Sequence, residues 1–221
     1  MRRARAALLA ILSATVAAAL AAVAVPPASA TPAAPGLLDA RDLPSGFRLV
    51  VPPTTIADPT VLVTDALACT QRLQPVAGAV DGSLAQFTPG GATNALPSVT
   101  ELVITYTDAA AATTSFAQRR TSHGARLRCR TVTLLPPGTP GPASPTTTVS
   151  YTKATVRFRG LGPSWFAERS GTAGTIPYTA LTFRSGPYVV GLTFSAGPGA
   201  LKPAVLRRLA VEARHRLRTA P

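Results

Sequence analysis

Residues 176–194, IPYTALTFRSGPYVVGLTF, decide the fold. Ile176–Arg184 and Tyr188–Phe194 flank Ser185-Gly186-Pro187 as the two arms of a β-hairpin. Leu181 and Phe183 share one face of the first arm, and Val190, Leu192 and Phe194 share one face of the second. An apolar sheet face needs a cover, and the segment after Gly199 supplies one. Pro203 opens a helix there whose Val205, Leu206, Leu209, Ala213 and Leu217 form a single stripe.

Working back from the hairpin, Val156–Arg159, Phe166–Arg169, Glu101–Thr107, Ser83–Thr88 and Arg48–Val51 read as further strands, the last stopped by Pro52-Pro53. Asp58-Pro59 reads as a helix start, with Val61, Leu62, Ala66, Cys69 and Leu73 spaced along one buried face. Asp108 caps a second helix expected to run to about Arg119 and to stop by Gly124, followed by a strand Leu127–Leu135 carrying Cys129. Leu37–Phe47 reads as a short helical or turn segment. The expected class is α+β: an antiparallel β-sheet with about three helices packed on it, in a single domain over residues 37–221. Residues 31–36 are expected to be a flexible leader, and the Pro/Gly/Thr-rich stretch 136–148 a mobile loop.

The N-terminus has its own logic. Arg2, Arg3 and Arg5 precede an apolar run over residues 6–25, then Pro26-Pro27 and the small-residue triplet Ala28-Ser29-Ala30. That is a signal-peptide pattern, so residues 1–30 are expected to be removed and the mature protein secreted. The run is long enough to cross a bilayer, which leaves an uncleaved membrane anchor as the alternative. In an exported chain, two cysteines, Cys69 and Cys129, read as a disulfide, with two buried free thiols as the alternative.

Composition narrows the chemistry. Among 221 residues there are 22 Lys+Arg against 9 Asp+Glu, a net charge of +13, yet only two His, two Cys and one Trp. Four-ligand zinc sites and most catalytic constellations lack their parts, so no catalytic residue, metal or cofactor is expected. Ser122 adjoins His123, but neither a G-x-S-x-G turn nor a C-x-x-C is present, and His123 reads as an exposed residue near a helix end. Asp58 and Asp108 read as helix caps and Glu168, beside Arg169, as a surface pair. The basic residues gather in two groups: Arg119, Arg120, Arg126, Arg128 and Arg130, and, around the last helix, Lys202, Arg207, Arg214 and Arg218 with their neighbours. Arg207, Arg214 and Arg218 recur at seven and four residues on one side of that helix, a candidate anion-binding patch with Lys202. The same stripe is also what an Arg-rich, G+C-rich genome leaves on a solvated face. No aromatics lie beside it, so specific nucleic-acid binding is not expected. Trp165 and Phe166, near Gly160, Gly162 and Pro163, are the candidate cleft aromatics, with a core anchor as the alternative.

Several stretches together carry a resemblance: LLDARDLPSGF at 37–47, ALACTQRL at 66–73, ELVITYT at 101–107 running straight into DAAAATTSF at 108–116, a cysteine about twenty residues on, and the closing hairpin and amphipathic helix. They resemble the PknH-like extracellular sensor domains of actinobacteria over about Leu37–Thr219. The resemblance implies an α+β domain with a cleft for an unidentified extracellular ligand. Of that family's usual four cysteines, this chain matches two positions, Cys69 and Cys129, so one of the two usual disulfides is missing. The family supplies no catalytic residues. The expected function is thus an exported, non-enzymatic ligand-binding or sensor-like domain at the cell envelope, acting as a monomer on a small or polymeric ligand. A cell-envelope hydrolase and a basic protein binding anionic cell-wall polymers are the alternatives.

Small residues at Ala28 and Ala30 place cleavage after Ala30. Intact mass of protein from culture medium is expected to show a chain starting at Thr31; retention in the membrane with residues 1–25 still present would establish the anchor instead.

Overall fold

Strand-forming Val, Ile, Thr, Tyr and Phe dominate more of the chain than the hairpin alone suggests. The computed structural model describes residues 36–92, 95–135, 147–154, 156–171, 177–195 and 201–219. The expected signal peptide and cleavage site over residues 1–30, residues 31–35 of the expected leader and residues 136–146 of the expected loop lie outside them. The strands are β1 (Phe47–Ile56), β2 (Thr60–Asp65), β3 (Thr70–Pro75), β4 (Ala79–Pro89), β5 (Ser98–Tyr106), β6 (Thr131–Leu134), β7 (Thr147–Lys153), β8 (Trp165–Gly171), β9 (Tyr178–Ser185) and β10 (Tyr188–Ser195). They form one ten-stranded sheet in the order β1-β4-β5-β10-β9-β8-β7-β6-β3-β2.

The connections bend this sheet. β1 and β2 are its opposite edges, yet only residues 57–59 separate them. A flat sheet of this size is roughly 43 Å wide, whereas the link from Ile56 to Thr60 reaches about 14 Å at most. The β3–β4 link over residues 76–78 imposes the same closure. β1 with β2, and β4 with β3, therefore make one long ribbon that folds over the sheet's end. Val76 N–H donates to the Pro59 carbonyl at 2.9 Å where the two links meet.

One helix fills each side of the curled sheet. α1 (Ala109–Cys129) touches β2, β5 and β6 through β10. Its Ala112 and Phe116 pack on Ile104, Tyr106, Phe166 and Val189. α2 (Pro203–Thr219) lies on β9 and β10 from the other face. There Leu206, Leu209, Ala213 and Leu217 meet Leu181, Phe183, Val190 and Leu192 in the main core. The stripe read from the sequence is the buried one. The N-terminal segment joins this core through Leu37, Leu38 and Leu43 and contains a 3-10 turn (Ala40–Asp42) closed by reciprocal caps from Asp39 and Asp42. At its start Gly36 has φ +96°, and a Cβ there would lie 2.6 Å from Leu217 Cδ2, so only glycine lets the chain pass under the end of α2.

The expectation of an antiparallel sheet with about three helices is corrected: among the described residues there are two α-helices, and the sheet is mixed because β3 pairs in parallel with β6. The stretch from Asp58 to Leu73 is not a helix but the hairpin β2–β3. Its apolar spacing fitted a helix, but Thr60, Val61, Val63 and Thr64 are β-branched. Asp65 then folds a turn by accepting the N–H groups of Leu67 (2.8 Å) and Ala68 (3.1 Å) on Oδ1. Those same bonds hold the Asp65 carboxyl below its usual range. The second helix continues past Gly124 to Cys129, where Arg130 at φ +59° ends it. Hence Leu127–Cys129 is helix rather than strand. Val156–Arg159 forms no strand, and β1 runs on through Pro52-Pro53, which an edge strand tolerates at the cost of register shifts.

Cys69 and Cys129 are bonded, with Cα atoms 5.6 Å apart. The bridge does not pin a helix to a strand over the middle of the sheet. It ties the β2–β3 turn to the last residue of α1, closing the ribbon onto the helix it covers. Replacing both cysteines by serine is expected to cost roughly 2–5 kcal/mol in urea unfolding. Unchanged stability, or two reactive thiols in the unreduced denatured protein, would contradict this.

Candidate functional site

Two groups of charged side chains survive folding as candidates, one on each face of the sheet. The first lies under α1. Residues 112, 115, 116, 119, 122, 123 and 126 recur at helical spacing on the inner face of the helix, but most of them are polar. Glu168 on β8 accepts from His123 Nδ1 at 2.8 Å and from Arg126 Nε at 2.9 Å, all on its Oε2. Arg126 Nη1 donates to Ser122 Oγ at 2.9 Å, and that oxygen also accepts the Thr64 N–H at 2.9 Å. The guanidinium lies 5.4 Å from the Tyr151 ring centroid, and the Tyr151 hydroxyl donates to Gln71 Oε1 at 2.8 Å. His123 stacks on Phe166 at 4.7 Å.

His123 is accordingly not an exposed helix-end residue, and Glu168 is not a surface pair. The helix runs on, which turns His123 inward with its side chain 12% exposed. Ser122 and His123 do not form a nucleophile–base pair: the hydroxyl serves Thr64 and Arg126, and the ring nitrogen serves Glu168. The arrangement is that of a buried, mutually satisfied ion network, which fixes α1 in the sheet. Burial works against the Glu168 charge, but hydrogen bonds from His123 and Arg126, with the Arg126 charge, hold its pKa below the ordinary value. Arg119, also on this inner face, has Nε and Nη2 buried without a partner among the described residues, and burial lowers its pKa while Tyr106 opposes the shift.

The second group faces outward beside α2. A cleft of about 540 Å³ opens between the β9–β10 turn, the chain before β8 and the C-terminal turns of α2. Arg184, Arg214 and Arg218 line it, with Ser164, Ser185 and Tyr188. Arg214 Nη1 donates to the Gly160 carbonyl at 2.6 Å and Arg184 Nη1 to the Gly186 carbonyl at 3.2 Å. Backbone oxygens thus hold two of the three guanidinium groups without neutralising them. All nine Asp and Glu residues are among the described residues, and none pairs with these three arginines. Asp42 and Glu212 are both taken by Arg216, Asp39 by Arg41 and Glu168 by Arg126.

The patch read from the sequence is thereby divided. Arg214 and Arg218 share the cleft, Arg207 lines a second hollow with Arg157 and Arg159, and exposed Lys202 lines neither. The stripe does not include Arg184, whose only sequence signal is its place at the end of a strand, beside the hairpin turn. The two candidate aromatics point to opposite faces of β8. Phe166 is buried against His123 and Phe116, and Trp165 packs on Phe158, so neither lines the cleft. His215 is exposed. Among the described residues no group of three or more His, Cys, Asp or Glu is placed to hold a metal, and no helix is long and apolar enough to cross a membrane.

No family model matches the chain, and no curated protein matches it. Among solved structures it is similar to the extracellular domain of PknH from Mycobacterium tuberculosis, at 13% sequence identity over 79% of this chain and 86% of that one, with a TM-score of 0.48.

A further acid sits in the main core. Glu101 on β5 is fully buried, accepting the Leu38 N–H at 2.6 Å on Oε2, while Oε1 has no partner among the described residues. Burial pushes its pKa up to about 8, against the Leu38 bond and the Arg216 charge and with the help of Asp42. The folded state therefore holds the Glu101 proton more tightly than the unfolded chain, and stability falls as pH rises from about 4.5 to about 8. For Glu168, whose pKa is lowered, the contribution is present above the ordinary carboxylate pKa and lost as pH falls. Urea unfolding between pH 4 and 9 is expected to show that Glu101→Gln removes the loss toward alkaline pH. Glu168→Gln is expected to cost roughly 3–5 kcal/mol near neutrality, because Arg126 is left buried and unpaired. Parallel profiles for the wild type and both variants would contradict these assignments.

Proposed function

We propose that this chain is an exported, non-enzymatic binding domain of the cell envelope whose ligand is an anion held between Arg184, Arg214 and Arg218. The reading is carried by three arginines lining one cleft, with every carboxylate side chain of the protein engaged or placed elsewhere. Like charges brought together without a counter-charge raise the local potential, and a bound anion relieves their repulsion. Arginine suits the task because its planar fork offers several donors to the oxygens of a phosphate or carboxylate. Fixing Arg214 and Arg184 on backbone carbonyls reduces the ordering cost of binding. Export rests on the N-terminal pattern, and the Cys69–Cys129 bridge is of the kind formed in oxidising compartments.

The packing of α1 weighs against the hydrolase alternative. Glu168, Ser122 and His123 are occupied by one another's neighbours beneath the helix, on the face opposite the cleft.

Calorimetric titration of the mature protein with tripolyphosphate is the direct test. Binding is expected, weakening with salt, and Arg184→Ala with Arg218→Ala is expected to reduce affinity at least tenfold, as removal of two charge-assisted contacts does. Arg120→Ala with Arg128→Ala, exposed on α1, is expected to leave it nearly unchanged. Equal losses from both pairs would mean diffuse attraction to a basic surface rather than a site.

A further inference from the structure

The second hollow stands in a definite relation to the cleft. Residues 156–164 run alongside α2 in the same direction as the helix. At one end Val156, Arg157 and Arg159 meet Pro203 and Arg207 around a hollow of about 400 Å³. Midway, the chain comes so close that a Cβ on Gly160 would lie 3.2 Å from Val211 Cγ2, and Arg214 bonds the Gly160 carbonyl. At the other end Leu161, Pro163 and Ser164 join Leu217 and Arg218 around the cleft. The two hollows are the two ends of a single seam.

Both ends are lined by arginine. Arg207, Arg214 and Arg218 lie on one stripe of α2, and at 1.5 Å per residue the first is about 16 Å from the last along the axis. Neither Arg157, Arg159 nor Arg207 pairs with a carboxylate among the described residues. The one acid of α2, Glu212, is bonded to Arg216, which turns toward Asp42 and the Leu37 carbonyl. A small anion fills one hollow and leaves three guanidinium groups at the other uncompensated.

Resting on the anion cleft proposed above and extending it, we infer that the ligand is a linear, flexible polyanion of repeated phosphate groups, spanning both hollows along the 156–164 segment. Phosphate is favoured over carboxylate because three arginines surround each hollow, and a phosphate group presents more acceptor oxygens to them than a carboxylate does. A single-stranded nucleic acid would need stacking platforms, and among the described residues the only aromatic lining either hollow is Tyr188. A flat anionic membrane is a poorer match, since the charges lie in two recesses separated by a ridge of chain.

Tripolyphosphate and a long linear polyphosphate distinguish the outcomes. The long chain is expected to bind at least tenfold tighter per molecule, because the second hollow is engaged intramolecularly. Replacing Arg157, Arg159 and Arg207, all exposed, by alanine is expected to abolish that gain while leaving tripolyphosphate affinity unchanged. Failure of tripolyphosphate to bind at all would overturn the cleft itself. Tripolyphosphate binding with no gain for the long chain, or a gain untouched by the triple variant, would overturn the two-hollow ligand and leave the cleft standing. Tighter binding to vesicles rich in acidic phospholipid than to polyphosphate would overturn it in favour of a membrane surface.

Discussion

Two links of three residues each join strands from opposite sides of a ten-stranded sheet. Because such a link cannot cross the width of a flat sheet, the sheet has to curl, and the curl gives its two faces different tasks. The inner face closes on α1 and the outer face carries α2. The disulfide completes the closure by fastening the ribbon's turn to the end of the enclosed helix. Leu67, at that turn, is 97% exposed, so what holds the ribbon tip is the bridge and the Asp65 turn rather than buried apolar area.

Enclosure explains the unusual inner face of α1. A helix surrounded by strands on several sides meets backbone and side-chain polar groups as well as apolar ones. Ser122, His123 and Arg126 answer Thr64, Glu168 and Tyr151 there. Such a network contributes less to net stability than an apolar core of the same volume, but removing one member is costly, which restrains α1 to one position. Several of the acids are engaged there, in the N-terminal segment or on α2 itself. Arg126 holds Glu168, Arg216 holds Asp42 and Glu212, and Glu101 lies buried beneath Leu38. The remaining arginines around α2 are left without a carboxylate partner, and six of them line the two recesses of the seam between α2 and residues 156–164.

The legible parts of the fold were those with one strong period. The β9–β10 hairpin and the stripe of α2 are strictly alternating and strictly helical, and both stand where the sequence placed them. Illegibility began where two periods competed. In the stretch from Asp58 to Leu73 the apolar residues suit a helix while β-branching and Asp65 suit a hairpin, and the sheet's closure decides for the hairpin. On α1 the inward residues are largely polar, so no apolar stripe announced that the helix passes Gly124. His123 and Glu168 were then misplaced to the surface, since nothing local shows that Arg126 would be turned inward to meet them. The cysteine pair was legible from count and compartment, although both cysteines occupy different elements from those expected. For the site, Arg214 and Arg218 were visible as a stripe, whereas Arg184 and the Arg157–Arg159 pair required knowing which loops the sheet brings beside α2.

Folding either segregates uncompensated arginines into a defined recess or spreads them over a basic surface. Side-chain Nε–Hε resonances of arginine, followed by NMR as pyrophosphate is added to the protein over residues 31–221, distinguish the two residue by residue. A defined recess gives saturable shifts at Arg184, Arg214 and Arg218, with Arg120, Arg128 and the buried Arg126 unmoved. Shifts of similar size at every exposed arginine, growing linearly without saturation, would contradict it.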